Sequence, residues 1–405
     1  IRKNKMPAAV YIVGRGVISA LGDDLCGNRQ SLLQSQAGIK AITRLNTRYS
    51  EILPAAEVPH SNETLAAMAD MPVTTTRTAL LSMIAAKEAF DSFLLPDKLN
   101  YKVGFISANT VGGMDKTEDF MKEFAVDTSK GKLHDVIHHD CGAATELVAE
   151  KLGITEVVTT ISTACSSAAN AMIYAARLIR NGYLDWAIAG GTDALSRFTI
   201  NGFNSLMILD NELCRPFDDT RKGLNLGEGA GYVVLASEKM VALLAQQPSV
   251  KLSGFANAND AYHQTASSPE GRGNFDAMSG ALAEAGLQPS DIDYINLHGT
   301  GTANNDSSEG IAISRLFGTD LPYLSSTKTY TGHTLAACGG IEAIYATLAI
   351  EEGVVFPNLR FQHQMKELEF APQTNLLEGK EIRHVLSNSF GFGGNCTSLI
   401  FSKVK

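Results

Sequence analysis

Short apolar runs alternate with helical stretches along this chain, and the alternation is gone through twice. Residues 9–19, 102–108, 157–162, 186–191 and 231–236 read as strands, with helical patterns such as 78–93 and 168–180 between them. Near residues 246–249 the pattern restarts. Residues 251–258, 294–298, 323–327, 385–390 and 398–403 then read as strands, separated by helices over 274–285, 307–316 and 335–351. Such alternation is the signature of an α/β fold, so the chain is expected to be two similar α/β halves, 1–248 and 249–405. Its 405 residues, 44% of them hydrophobic, also exceed the size at which a single core stops growing.

Each half delivers a reactive side chain to the end of a strand. In the first, VVTTISTACSSAANAMIYAARLIR (157–180) runs from a β-branched strand into an Ala-rich helix with Cys165 at the junction. A thiol on the first turn of that helix faces free backbone N–H groups and the positive end of the dipole, which favours the thiolate. Its neighbours Thr163, Ala164, Ser166, Ser167, Ala168 and Ala169 are small and leave a carbonyl room to approach. The competing reading is a buried structural cysteine. In the second half LHGTGTANND sets His298 after an apolar strand, with Gly299 and Gly301 allowing close approach and the hydroxyls of Thr300 and Thr302 beside it. A lone histidine there is more often structural. SSTKTYTGH places Lys328 five residues before His333, where an ammonium would disfavour a charged imidazole and keep it a neutral donor. NSFGFGGN (388–395) is a Gly-rich turn whose N–H groups suit an oxyanion; taken alone it is a tight turn between strands.

Composition removes several classes. A net charge of −9 leaves no Lys/Arg surplus for phosphates, so nucleic acid is not an expected partner. Cys26, Cys141, Cys165, Cys214, Cys338 and Cys396 form no CxxC pair, which fits reduced thiols in a cytoplasmic enzyme better than disulfides. The basic start is followed by an apolar run too short for a secretory leader, residues 1–5 read as a cloning remnant, and no stretch approaches the roughly 18 apolar residues of a membrane span. GEGAG (227–231) superficially matches a dinucleotide loop but leads into the strand-like YVVLA where a helix should start. HDVIHHDC (134–141) has two histidines four apart but lacks HExxH and a clear third ligand, so a solvated or interface segment is expected there and no catalytic metal.

TACSSA, HGTGT, TKTYTGH and NSFGFGG, in this order, together with RPFDDTRKGLNLGEGAGYVVL (215–235), resemble the β-ketoacyl-acyl-carrier-protein synthases of the elongating class. The resemblance covers nearly the whole chain. It implies the thiolase fold, two α/β halves in a five-layer αβαβα sandwich, and a 3-oxoacyl-[acyl-carrier-protein] synthase performing decarboxylative condensation in fatty acid biosynthesis. Cys165 would hold the acyl group, His298 and His333 would promote decarboxylation, and Lys328 would support them with Glu309 as its acidic partner. The amides of Cys165 and Phe392 would form the oxyanion hole. Thr300, Thr302, Val111, Phe203 and Phe392 would bind substrate, with Val111 and Phe203 along the acyl tunnel and Phe392 at its entrance. No cofactor is implied, although relatives can hold a structural monovalent cation at the positions of Glu342 and Asn388. Partners would be an acyl carrier protein and a second copy, joined across the nucleophile-bearing half. In the stretch where relatives dock carriers, 74–78, Arg77 is the sole basic residue, and Met207 stands where they often have arginine. HGTGTANND and GFGGNC depart from housekeeping motifs toward ketosynthases of aryl-polyene or flexirubin pathways. A catalytically silent chain-length-factor subunit would lack the cysteine, and a degradative thiolase would use a second cysteine in place of the histidine pair.

Overall fold

The computed structural model describes residues 8–404; the expected remnant at residues 1–5 lies outside them. The main strands are β1 (Val10–Ser19), β2 (Val103–Ala108), β3 (Val157–Ile161), β4 (Trp186–Asp193), β5 (Gly229–Ser237), β6 (Val250–Asn259), β7 (Tyr294–Asn296), β8 (Tyr323–Ser325), β9 (His384–Phe390) and β10 (Asn395–Lys403). They lie in the order β8-β7-β9-β10-β6-β1-β5-β4-β2-β3. Read in chain order, each set of five is wound third-second-fourth-fifth-first. In each, three strands run parallel and the last two pairings are antiparallel. The repeat in the sequence is thus a repeat in topology. The two sets meet through a short antiparallel seam, Val10 opposite Leu252 and Tyr11 opposite Lys251.

Helices fill both faces, giving the five layers. The Ser167–Arg180 and Cys338–Glu352 helices lie between the two half-sheets and touch strands of both. Their Ala168, Met172, Ala176, Ile341, Ile344 and Leu348 merge with Ile106, Val233, Leu399 and Phe401 into one core. Outside the first half-sheet the Arg77–Ser92 helix, capped by the Thr76 hydroxyl, buries Leu80, Leu81, Ala85 and Ala89 against Trp186 and Tyr232. Outside the second, the Arg272–Ala285 helix packs Met278 and Leu282 with Ile313, Leu386 and Ile400. The middle helices can come close because glycines face them. A Cβ on Gly340 would sit 2.3 Å from the carbonyl oxygen of Gly231 in β5. β3 forms one edge of the sheet, and its five β-branched residues are all half-exposed. No helix among the described residues is long and apolar enough to cross a membrane.

Candidate active site

Both turns that the sequence marked as reactive end at the same place. After β3 the chain passes through Ala164 in a left-handed conformation, φ 52°, a state that costs an L-residue roughly 1 kcal/mol. Ser166 Oγ donates to the Thr163 carbonyl at 2.7 Å, and Ser167 Oγ accepts from the Thr163 N–H at 2.8 Å and donates to the Ala164 carbonyl at 2.6 Å. These bonds hold the elbow. The helix begins at Ser167 with Ser166 as its cap, so Cys165 lies just ahead of the first turn and not on it. Its side chain is 6% exposed. Burial pushes the thiol up to about 11, against the pull of the Lys328 ammonium and of the Phe392 and Cys165 N–H groups that point at the sulfur. The expectation that position alone favours the thiolate is therefore corrected. Desolvation of the charged form outweighs the donors facing it.

His298 and His333 complete a trio in which Cys165 Sγ and one nitrogen of each ring lie within 4.8 Å of one another. The two rings stand nearly perpendicular with centroids 5.4 Å apart. Burial, and after it Lys328, hold both imidazoles well below their ordinary pKa, so both are neutral. Their tautomers are set from behind. The Leu335 N–H donates to His333 Nδ1 at 3.0 Å, and Lys328 Nζ, an ammonium that can only donate, lies 3.3 Å from His298 Nδ1. Each ring therefore presents Nε2–H to the cavity. The same arrangement answers the zinc-like look of a Cys-His-His trio. Metal at Nε2 would need a proton on Nδ1, where those two donors already sit.

The sequence paired Lys328 with Glu309; the structure pairs it with Glu342, at 2.5 Å, both groups being almost fully buried. Burial alone would lower the Lys328 pKa, but Glu342 reverses this and holds the ammonium charged. Glu309 instead accepts the backbone N–H groups of His298 and Gly299, each at 2.8 Å, and the Asn388 amide at 3.1 Å. It thereby fixes the turn that carries His298, and burial pushes its carboxyl up to about 7. Local spacing holds no signal for the Lys328–Glu342 pair, because the two residues sit on different elements. As for a structural cation, the buried Glu342 Oε2 has no hydrogen-bond partner, which suits one. The Asn388 oxygen already accepts from Ser398 Oγ at 2.7 Å, so Glu342 is the donor that fits.

These groups open on a cavity of about 300 Å³ lined by Cys165, His298, His333, Thr300, Thr302, Phe203 and Phe392, among others. Phe203 and Phe392 stack at 5.8 Å across it. The turn bearing Phe392 approaches the elbow closely: a Cβ on Gly391 would stand 3.1 Å from the Cys165 nitrogen. Val111 is not among the lining residues; it is buried in an apolar cluster with Leu195, Ile200 and Leu224, against which Phe203 packs. Arg77 is likewise not a free basic residue. It is 9% exposed and binds Glu228 through two nitrogens, at 2.6 and 2.9 Å, beside a separate polar cleft of about 370 Å³ that contains no cysteine. Glu228 belongs to GEGAG, whose continuation is strand β5. His134 and His138 lie edge to face at 6.0 Å on a partly exposed segment. Sequence reasoning missed Asp306, whose carboxylate accepts the Thr300 and Gly301 N–H groups. A carboxylate eight residues past His298 on an amphipathic helix looked like ordinary surface.

Comparison with known proteins finds the family described as "Beta-ketoacyl synthase, N-terminal domain" over residues 8–240 and "Beta-ketoacyl synthase, C-terminal domain" over 250–362. The chain is 32% identical over 414 aligned positions to 3-oxoacyl-[acyl-carrier-protein] synthase 2 of Staphylococcus aureus (strain N315), covering 97% of this chain and 98% of that protein. Among solved structures, "The ishigamide ketosynthase/chain length factor" matches with TM-score 0.91 and 29% identity over 98% of this chain and 100% of that one. The ketosynthase ApeO in complex with its chain length factor ApeC from Xenorhabdus doucetiae matches with TM-score 0.84 and 31% identity, covering 98% of each chain.

Proposed function

Because this chain belongs to the beta-ketoacyl synthase family, we propose that Cys165 carries the acyl group and that His298 and His333 drive its extension. The enzyme is an acyltransferase of the 3-oxoacyl-[acyl-carrier-protein] synthase type. The observation that carries the residue assignment is the buried convergence of Cys165, His298 and His333 within 4.8 Å on the floor of the cavity. The Cys165 sulfur attacks an acyl thioester, and the tetrahedral oxyanion is received by the Cys165 and Phe392 N–H groups. As it collapses the C–S bond to the carrier breaks, the carrier sulfur leaving as a thiol with the proton that Cys165 gives up. A malonyl thioester then loses CO2; the electrons of the broken C–C bond pass to its thioester oxygen, held by the two Nε2–H donors. The enolate carbon attacks the Cys165 thioester, and the sulfur leaves as the new C–C bond forms. Thr300 and Thr302, whose hydroxyls lie 2.9 Å apart on the cavity wall, suit the polar arm that brings the thioester in.

The partner in this reading is an acyl carrier protein, with a second copy of the chain paired along the exposed edge strand β3. The nucleophile half and the histidine half correspond to residues 1–248 and 249–405. Six cysteines with no disulfide among the described residues support a reducing, cytoplasmic setting. Fatty acid elongation is the first reading of the pathway. The 31% identity to ApeO keeps the aryl-polyene-type reading beside it, and rates on saturated against polyenoyl carrier proteins of matched length separate the two. The intact trio speaks against a silent chain-length-factor role.

Mass spectrometry after incubation with an acyl-carrier protein should find the adduct on Cys165, and none in Cys165→Ala. His298→Ala and His333→Ala should each lose about 100- to 1000-fold in CO2 release from malonyl-carrier protein while still acylating Cys165. Undiminished CO2 release in either variant would remove that histidine from the mechanism.

A further inference from the structure

The two backbone donors that face the Cys165 sulfur come from opposite halves of the chain, one from the turn after β3 and one from the turn after β9. Those strands are not neighbours in the sheet, so no ladder sets the distance between the turns. A cluster of amides and hydroxyls does. The Asn395 carbonyl accepts the Gly391 N–H at 2.9 Å and closes the turn that presents Phe392. Its side-chain Oδ1 accepts from Ser166 Oγ at 2.7 Å, Asn170 Nδ2 at 2.8 Å and Asn257 Nδ2 at 2.7 Å. Ser166 and Asn170 belong to the start of the nucleophile helix, and both also reach Thr163: the single Ser166 hydroxyl proton is shared between Asn395 Oδ1 and the Thr163 carbonyl, each 2.7 Å away, and Asn170 Nδ2 donates to Thr163 Oγ1 at 2.9 Å. Thr397 Oγ1 extends the cluster by donating to Asn170 Oδ1 at 3.0 Å.

We propose that Asn395 is a positioning residue that sets the width of the oxyanion hole, tying the Phe392 turn to the Cys165 elbow through one oxygen without itself touching substrate. An oxyanion gains from two N–H groups only when both stand about 2.7–3.1 Å from where its charge develops. The turn bearing Phe392 contains Gly393 and Gly394, both in left-handed conformations, and has little stiffness of its own. Without Asn395 Oδ1 the link from this turn to Ser166 and Asn170 is lost, and the turn keeps only its bonds within the second half, Gly393 N–H to the Gln264 carbonyl at 2.7 Å and Asp260 N–H to the Gly394 carbonyl at 2.8 Å, so the amide pair can spread. The histidine donors hang on other elements, held by Glu309, Lys328 and Leu335, so their geometry does not pass through Asn395.

The proposal rests on the assignment of Cys165 as the acyl carrier, and its test separates the two. Acylation of Cys165 by octanoyl-pantetheine and CO2 release from malonyl-pantetheine are measured in wild type, Asn395→Ala, Asn395→Asp and Ser166→Ala. Asn395→Ala should lower kcat of acylation about 10- to 100-fold with KM within about twofold, because the hole is used in the transition state and not in binding. CO2 release should change by less than about threefold, since it depends on the imidazoles. Asn395→Asp keeps an oxygen acceptor for the same three donors and should recover most of the acylation rate. Ser166→Ala removes one donor of the three and should fall between wild type and Asn395→Ala; it carries the test if Asn395→Ala does not fold. Wild-type acylation in Asn395→Ala, or equal loss of both half-reactions, overturns the positioning role. A wild type that is never acylated on Cys165 overturns the assignment beneath it as well.

Discussion

Two backbone amides and two fixed imidazoles face the Cys165 sulfur, yet burial still keeps its proton on until about pH 11. In the proposed reaction those donors would stabilise the thiolate as a thioester approaches, and a thiol held protonated should resist oxidation, since susceptibility follows thiolate character. Alkylation by iodoacetamide should accordingly speed up about tenfold per pH unit with no plateau below about pH 10. The Lys328 ammonium is the strongest of the influences lowering this pKa, so Lys328→Met should be alkylated more slowly at every pH on that slope. A rate that levels off by about pH 8, or a faster variant, would show that the facing donors outweigh desolvation. The sequence placed Cys165 at the junction of strand and helix, where the structure has it, but read that position as favouring the thiolate, whereas burial raises the thiol. Burial depth depends on residues brought over from the other half, and no local window contains it.

At the scale of elements the strands were legible because each carries its own apolar run, and the boundaries failed where polar residues continue a ladder. β10 begins at Asn395 and not at Ser398, since Asn395, Cys396 and Thr397 pair with Asn259, Ala258 and Asn257 in a stretch with little apolar signal. β4 runs on to Asp193, and β7 ends at Asn296, where the Leu297 N–H makes the last bond to β8 and the His298 and Gly299 amides turn toward Glu309. The candidate site was read in the same proportion. Motifs located Cys165, His298, His333 and Phe392, while the supports Glu342, Asp306 and Asn395 come from packing between elements. Packing also makes Gly340 irreplaceable, for a side chain there meets the backbone of β5 and not a movable tip. Gly340→Ala should cost about 1–3 kcal/mol in urea unfolding, the usual toll of overpacking a close-packed contact. An unchanged midpoint would mean the middle helix can shift freely against its sheet.

The whole molecule leaves one flank unfinished: β3 is an edge strand of β-branched, half-exposed residues, the kind of edge that invites another strand. Pairing of two copies along it would join two ten-stranded sheets into one. Thr159→Pro, which removes a ladder N–H, should shift sedimentation at micromolar concentration from dimer to monomer, whereas a wild type that already sediments as a monomer would refute the pairing. The layer order has another consequence, in time. The helix that follows Cys165 is covered on one side by β6 and β10, which are synthesised after it. At about 5–20 residues per second, translation of residues 250–403 takes roughly 8 to 30 s, and for that interval the apolar flank of the helix has no cover. The hazard to each new molecule is thus governed by ribosome speed as much as by final stability. Slow synonymous codons over that segment should lower the soluble yield of an otherwise identical protein.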